Sequence, residues 1–156
     1  MGRIDPPTRS FQLLVESIDE PERNSLRVVL RESMYGERVS AEGLAEKDSM
    51  PVGLLAGARP LRKTEADRIF EVFWNVYVVY YVLNESFVKP LTDGTWEGDY
   101  PLKYSRDSDL LAYVKNHSIA SDSYPGRLTH WSIGSGDHIV EVIASEKPIV
   151  RELNAV

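Results

Sequence analysis

Apolar side chains fall at every second position of one stretch: Phe70, Val72, Trp74, Val76, Val78, Tyr80 and Val82. A period of two places them on one face of an extended strand. The other parity, Ile69, Glu71, Phe73, Asn75, Tyr77, Val79, Tyr81 and Leu83, is mixed rather than polar. β-branched and aromatic residues dominate the run, and they fit a pleated surface better than a helix. The pattern predicts one long central strand over 69–83, covered on one face and partly covered on the other. On that second face, Glu71, Asn75, Tyr77 and Tyr81 mark where a helix, a partner or a ligand has to sit.

The same alternation recurs on either side. Phe11, Leu13 and Val15 begin a strand, the polar run 19–24 turns the chain at Pro21, and Leu26, Val28 and Leu30 begin a second strand that runs to about Met34. Two strands joined by a short polar loop predict an antiparallel hairpin. A second hairpin is expected from 128–133 and 138–145 around Gly134-Ser135-Gly136, with short strand pieces at 102–104 and 149–150. Leu110, Leu111 and Val114 recur at helical spacing, and Ser105 and Asp107 are candidate caps, so one main helix is expected near 106–117. Residues 1–9 carry two prolines and no apolar period, which predicts a loose arm. Residues 35–67 carry only weak signals: a short helical tendency at 41–47 and a Gly- and Pro-rich connection at 49–60. The fold class is therefore α+β, mostly antiparallel sheet of about five to seven strands, curved or partly barrel-like, in a single domain over 10–152.

Composition narrows the function classes. The chain has 156 residues, enough for one domain with a sizeable core. Its net charge of -6 speaks against nucleic-acid binding, which calls for a basic stripe. With no cysteine, disulfides, thiolate nucleophiles and Cys-ligated metals are excluded, in keeping with a cytoplasmic setting. The N-terminus lacks a signal-peptide core, and the apolar run at 69–83 is shorter than the roughly 20 residues of a membrane helix. Neither a membrane span nor a cofactor is expected.

Chemistry concentrates in the second hairpin. If Ser135-Gly136 form a two-residue turn, Ile133 pairs with His138, Trp131 with Val140, and His130 with Glu141. A carboxylate beside an imidazole fixes its tautomer and raises its basicity, as a general base requires. A three-residue turn would pair Thr129 with Glu141 instead. The plainer reading of His130 and Glu141 is a cross-strand ion pair or a satisfied half-buried histidine. No metal site is expected, since no H-x-H or H-E-x-x-H spacing occurs and alternation puts His130 and His138 on opposite faces. Trp96 and the tyrosines of the central stretch suit a binding face, although a small β-rich core also needs large side chains.

Three segments carry a resemblance: the strand leading into Asn84-Glu85-Ser86, the helix of 104–118, and the end from Tyr124-Pro125-Gly126 through His130-Trp131 to Pro148. In these, residues 65–150 resemble a family of small uncharacterised bacterial proteins. The resemblance implies no activity and supplies no catalytic residues. The expected function is a small acidic cytosolic interaction module, not an enzyme, that recognises another protein, in an immunity-like or antitoxin-like role for example. The alternative is a small-molecule-binding or hydrolytic protein with a site near the 128–145 hairpin and the central tyrosines. A homodimer joined through the second face of the central strand is a third arrangement.

Overall fold

The structure is a computed structural model that describes residues 11–35, 61–62, 67–89, 91 and 93–153. The expected arm at 1–9 and most of the 35–67 connection lie outside the described residues, as does the short helical tendency at 41–47.

Among the described residues, ten strands form two antiparallel sheets. The first has the order β1 (Phe11–Asp19), β2 (Leu26–Tyr35), β4 (Ile69–Trp74), β10 (Ile149–Leu153), with the two-residue β3 (Leu61–Arg62) beside the end of β2. The second has the order β5 (Val79–Asn84), β9 (His138–Ala144), β8 (Thr129–Gly134), β7 (Leu102–Ser105), β6 (Trp96–Asp99). The sheets pack face to face and do not close into a barrel. Leu13, Val28, Phe70, Val72 and Trp74 reach into the core from the first sheet, and Trp131, Ile133, Val140 and Val142 from the second. The α+β antiparallel class expected from the sequence holds, with ten strands among the described residues where about five to seven were expected.

The expected single strand over 69–83 is two strands in different sheets. β4 ends at the fully buried Trp74, the chain crosses, and β5 begins at Val79. Along the crossing, Tyr77 N–H donates to the Asn24 carbonyl at 3.2 Å and Val78 N–H to the Ile143 carbonyl at 2.8 Å. One bond goes to the β1–β2 turn and the other to β9, so the bend leaves these donors satisfied. Even-numbered residues face the core before the crossing (Phe70, Val72, Trp74), and Tyr80 faces it again afterwards from the opposite sheet. An unbroken alternation therefore conceals the corner.

The first hairpin forms as expected, with a bulge between Val15 and Ser17. The extra residue shifts the parity of β1, so both Val15 and Ile18 pack on the core. The helix, α1, spans Asp109–His117, and its N-cap is Ser108 rather than Ser105 or Asp107. Ser108 Oγ accepts the Leu111 N–H, whereas Asp107 accepts the N–H and hydroxyl of Thr95. Nine residues are too few for an independent helix in water. Burying Leu111 and Val114 against Leu128 and Ile143, on the outer face of the second sheet, contributes about 1.5–3 kcal/mol per side chain and holds it in place.

Candidate functional site

The outer face of the second sheet carries the chemistry. β8 and β9 are joined by Ser135, Gly136 and Asp137, with Gly134 opposite Ile139. Both expected registers are therefore corrected: Ile133 lies opposite Val140, Trp131 opposite Val142, Ser132 opposite Glu141 and His130 opposite Ile143. The wider turn is stabilised by the Ser135 hydroxyl, which accepts the His138 N–H at 2.9 Å. It is also tied to β1, where Gly136 N–H donates to the Leu13 carbonyl at 2.8 Å. Relative to the two-residue turn the pairing is displaced by two, so every side chain keeps its face. His130 and Glu141 become diagonal neighbours and still meet.

His130 Nε2 lies 2.7 Å from Glu141 Oε2, and His130 Nδ1 lies 2.7 Å from Ser108 Oγ. Because Ser108 Oγ already accepts from Leu111 N–H, its hydrogen is free to donate to Nδ1. With Nδ1 accepting from Ser108, the ring donates from Nε2 to Glu141. Ser132 Oγ donates to the other carboxylate oxygen at 3.2 Å. The four side chains make a continuous row, Ser108–His130–Glu141–Ser132, and each residue is 1–4% exposed.

Two more of the expected site residues stand against this row. The Trp96 ring meets His130 edge-on, 4.9 Å between centroids at 69°. Tyr81 lies opposite Glu141 across β5 and β9. Burial pushes the Tyr81 hydroxyl up from its ordinary value, and the negative charges of Glu141 and Asp93 add to the effect. The other three expected residues lie elsewhere. Glu71 is buried on β4 with the Arg151 guanidinium 3.4 Å away, and Asn75 sits in the crossing and donates to Glu146. Tyr77 donates to Glu20 at 2.6 Å, which pushes its hydroxyl up to about 12. Sequence reasoning missed Ser108 and Ser132. Ser132 was within reach, since it shares a strand face with His130. Ser108 arrives from the helix terminus, and only its capping tendency could have pointed to it.

Hydroxyl, imidazole and carboxylate in line have the connectivity of a nucleophile–base–orienter relay. Here Ser108 is 1% exposed and its oxygen is occupied by the helix cap. The row's evident work is to fasten the start of α1 to the sheet. Among the described residues, no group of three or more His, Cys, Asp or Glu is placed to hold a metal ion.

Beyond α1, no helix or strand among the described residues covers the outer face. A cleft of about 270 Å³ lies over Ser132, Gly134 and Ile139, bordered by Leu91, Tyr100 and Lys103. Large apolar groups stand exposed in the segments bordering this open region: Phe87 at 84%, Leu91 at 39%, and Tyr81 and Tyr100 at 37% each. β5 is the outermost strand here, and among the described residues no strand pairs with its second side.

Comparison of the chain with protein-family models, curated proteins and solved structures finds no match. Among the described residues, no helix is long and apolar enough to cross a membrane.

Proposed function

We propose that the protein is a binding module that recognises an extended segment of another protein by strand addition at β5. The carrying observation is the contrast between β5 and the other outermost strands. β1 has a bulge and the ion-paired Glu16 and Asp19. β10 carries Arg151 and Glu152, both paired with neighbours, and the short β6 carries Glu97, Asp99 and a glycine at positive φ. These are the usual means by which an edge refuses a new strand. β5 reads Val-Tyr-Tyr-Val-Leu-Asn, with no charge, proline or bulge, and Phe87 follows it almost fully exposed. An open edge of that composition offers main-chain hydrogen bonds for affinity and aromatic contacts for selectivity.

The occupant that fits is a strand with alternating apolar side chains flanked by basic residues. Acids outnumber bases in this chain by 24 to 18, so a basic partner is attracted whereas a second copy brings a like charge. An immunity-like or antitoxin-like role, neutralising a basic partner, is one form of this reading.

The test compares proteins retained from the source lysate by wild type, Tyr81→Lys, Phe87→Ser and, as a control on another edge, Ile149→Lys. A stoichiometric partner lost with the first two variants and kept with the third supports strand addition. Equal retention by all four overturns it, as does light scattering that shows a homodimer which Tyr81→Lys converts to monomer. A second reading is favoured by the cleft beside Ser132: a small molecule with an apolar body and an anionic end near Lys103. Ligand-dependent shifts in melting temperature that Lys103→Ala abolishes would support it.

A further inference from the structure

A second recess lies away from the relay, at the end of the second sheet where β8 begins and β9 ends. It measures about 250 Å³ and is lined by Arg106, Arg127 and Lys147 around Tyr104, Thr129 and Trp131. The three cations come from three separate segments: the exit of β7, the approach to β8, and the turn after β9. Each is exposed, and among the described residues none makes an ion pair with a carboxylate. That is unexpected in a chain whose net charge is -6, where acidic partners are in excess. The one acid in the lining, Glu146, accepts instead from Asn75 at 3.3 Å. Arg106 is steadied over the Tyr104 ring, 5.6 Å from its centroid. Trp131, 3% exposed, closes the inner end of the recess.

We propose that this recess binds a small, multiply charged oxyanion: a phosphomonoester or pyrophosphate-like group, or a di- or tricarboxylate. Guanidinium groups present paired N–H donors that match the oxygen spacing of phosphate and carboxylate, and an ammonium adds a point charge without directional demand. Two of the first kind and one of the second suit an anion of two or more charges. The volume sets the upper size, because drug-sized ligands fill roughly 300–1,000 Å³. A small phosphorylated or polycarboxylate metabolite fits that limit, and a dinucleotide does not. The site is independent of β5 and of the proposed strand addition.

Pyrophosphate and citrate, titrated separately into the full chain at low ionic strength, distinguish the two sources of oxyanion. Calorimetry with backbone amide NMR gives the affinity and the place of binding. The expected result is saturable one-to-one binding of at least one probe, with the largest shifts at 104–106, 127–131 and 145–147. Arg127→Gln should weaken it roughly tenfold or more, as the loss of a charge-assisted contact requires. Arg106→Gln should act alike, and the unliganded melting temperature should be unchanged in both. Lys115→Ala, a cation on α1 outside this recess, should leave the affinity unaltered. Binding that all three variants weaken equally is diffuse attraction and overturns the proposal, as does the absence of saturation with either probe. A chloride control at matched ionic strength must not reproduce the shifts.

Discussion

His130 is held through both ring nitrogens, by Ser108 on one side and Glu141 on the other, with Trp96 against its edge. Such a residue is costly to remove alone. His130→Ala would leave a Glu141 that is 3% exposed without its principal donor, and a buried polar group stripped of its partner costs about 1–3 kcal/mol or, for a carboxylate, more. Glu141→Leu would leave the His130 donor unpartnered at about 1–3 kcal/mol. The double variant His130→Ala/Glu141→Leu removes both needs together, so its loss should fall short of the sum by at least about 1 kcal/mol. Urea unfolding followed by tryptophan fluorescence gives the three values. Simple additivity would show that the two side chains are not coupled, contrary to the 2.7 Å contact.

At the scale of the element, the helix start depends on Ser108, whose hydroxyl serves the Leu111 N–H and His130 at once. Ser108→Ala should cost about 2 kcal/mol, combining an ordinary cap of about 1 kcal/mol with an unsatisfied buried nitrogen. Hydrogen exchange makes the test local: Leu111 N–H should lose protection in Ser108→Ala and keep it in Asp107→Ala. The opposite outcome would restore the cap expected from sequence. The three polar candidates 105, 107 and 108 show how far local patterning reaches. All have capping side chains, and only the tertiary position of His130 selects among them. Strands and the paired faces of the 128–145 hairpin were legible because a period of two survives both the shifted turn and the move of an alternating run into a second sheet. The break after Trp74 was not legible, since Tyr77 and Val78 find their backbone partners in Asn24 and Ile143, far away in sequence. Tyr81 and Trp96 could be chosen as exposed-face aromatics. Tyr77 could not be told from them, because its direction is set by the crossing.

At the scale of the molecule, two sheets facing one another need ties where the chain does not cross between them. One tie is the tip of the β8–β9 turn. Asp137 Oδ1 accepts the Val15 N–H at 3.1 Å, beside the bulge of β1, and Gly136 approaches β1 so closely that a Cβ there would collide with Gln12. Burial opposes the charge on Asp137, yet the Ser135 hydroxyl, the Val15 N–H and the nearby His138 outweigh it and hold the carboxyl below its ordinary 3.8. A depressed folded value means that ionised Asp137 contributes stability above about 3.8, and that this is lost as pH falls through the folded value. Glu32 runs the other way. Burial raises it, so its contribution is present at low pH and lost as pH rises through its folded value. The total acid profile mixes the two signs, and the informative quantity is the difference between wild type and Asp137→Asn, in which Glu32 cancels. Asparagine keeps the carbonyl acceptor for Val15 and removes the charge. With the carboxylate partly exposed, the difference should be about 1 kcal/mol near neutrality, after discounting a charged hydrogen bond for solvent. It should stay level down to about pH 5 and narrow progressively below the ordinary aspartate value. Denaturant midpoints measured across that range decide the matter, because a difference that does not change with pH would mean the tie is held by shape and neutral hydrogen bonds alone.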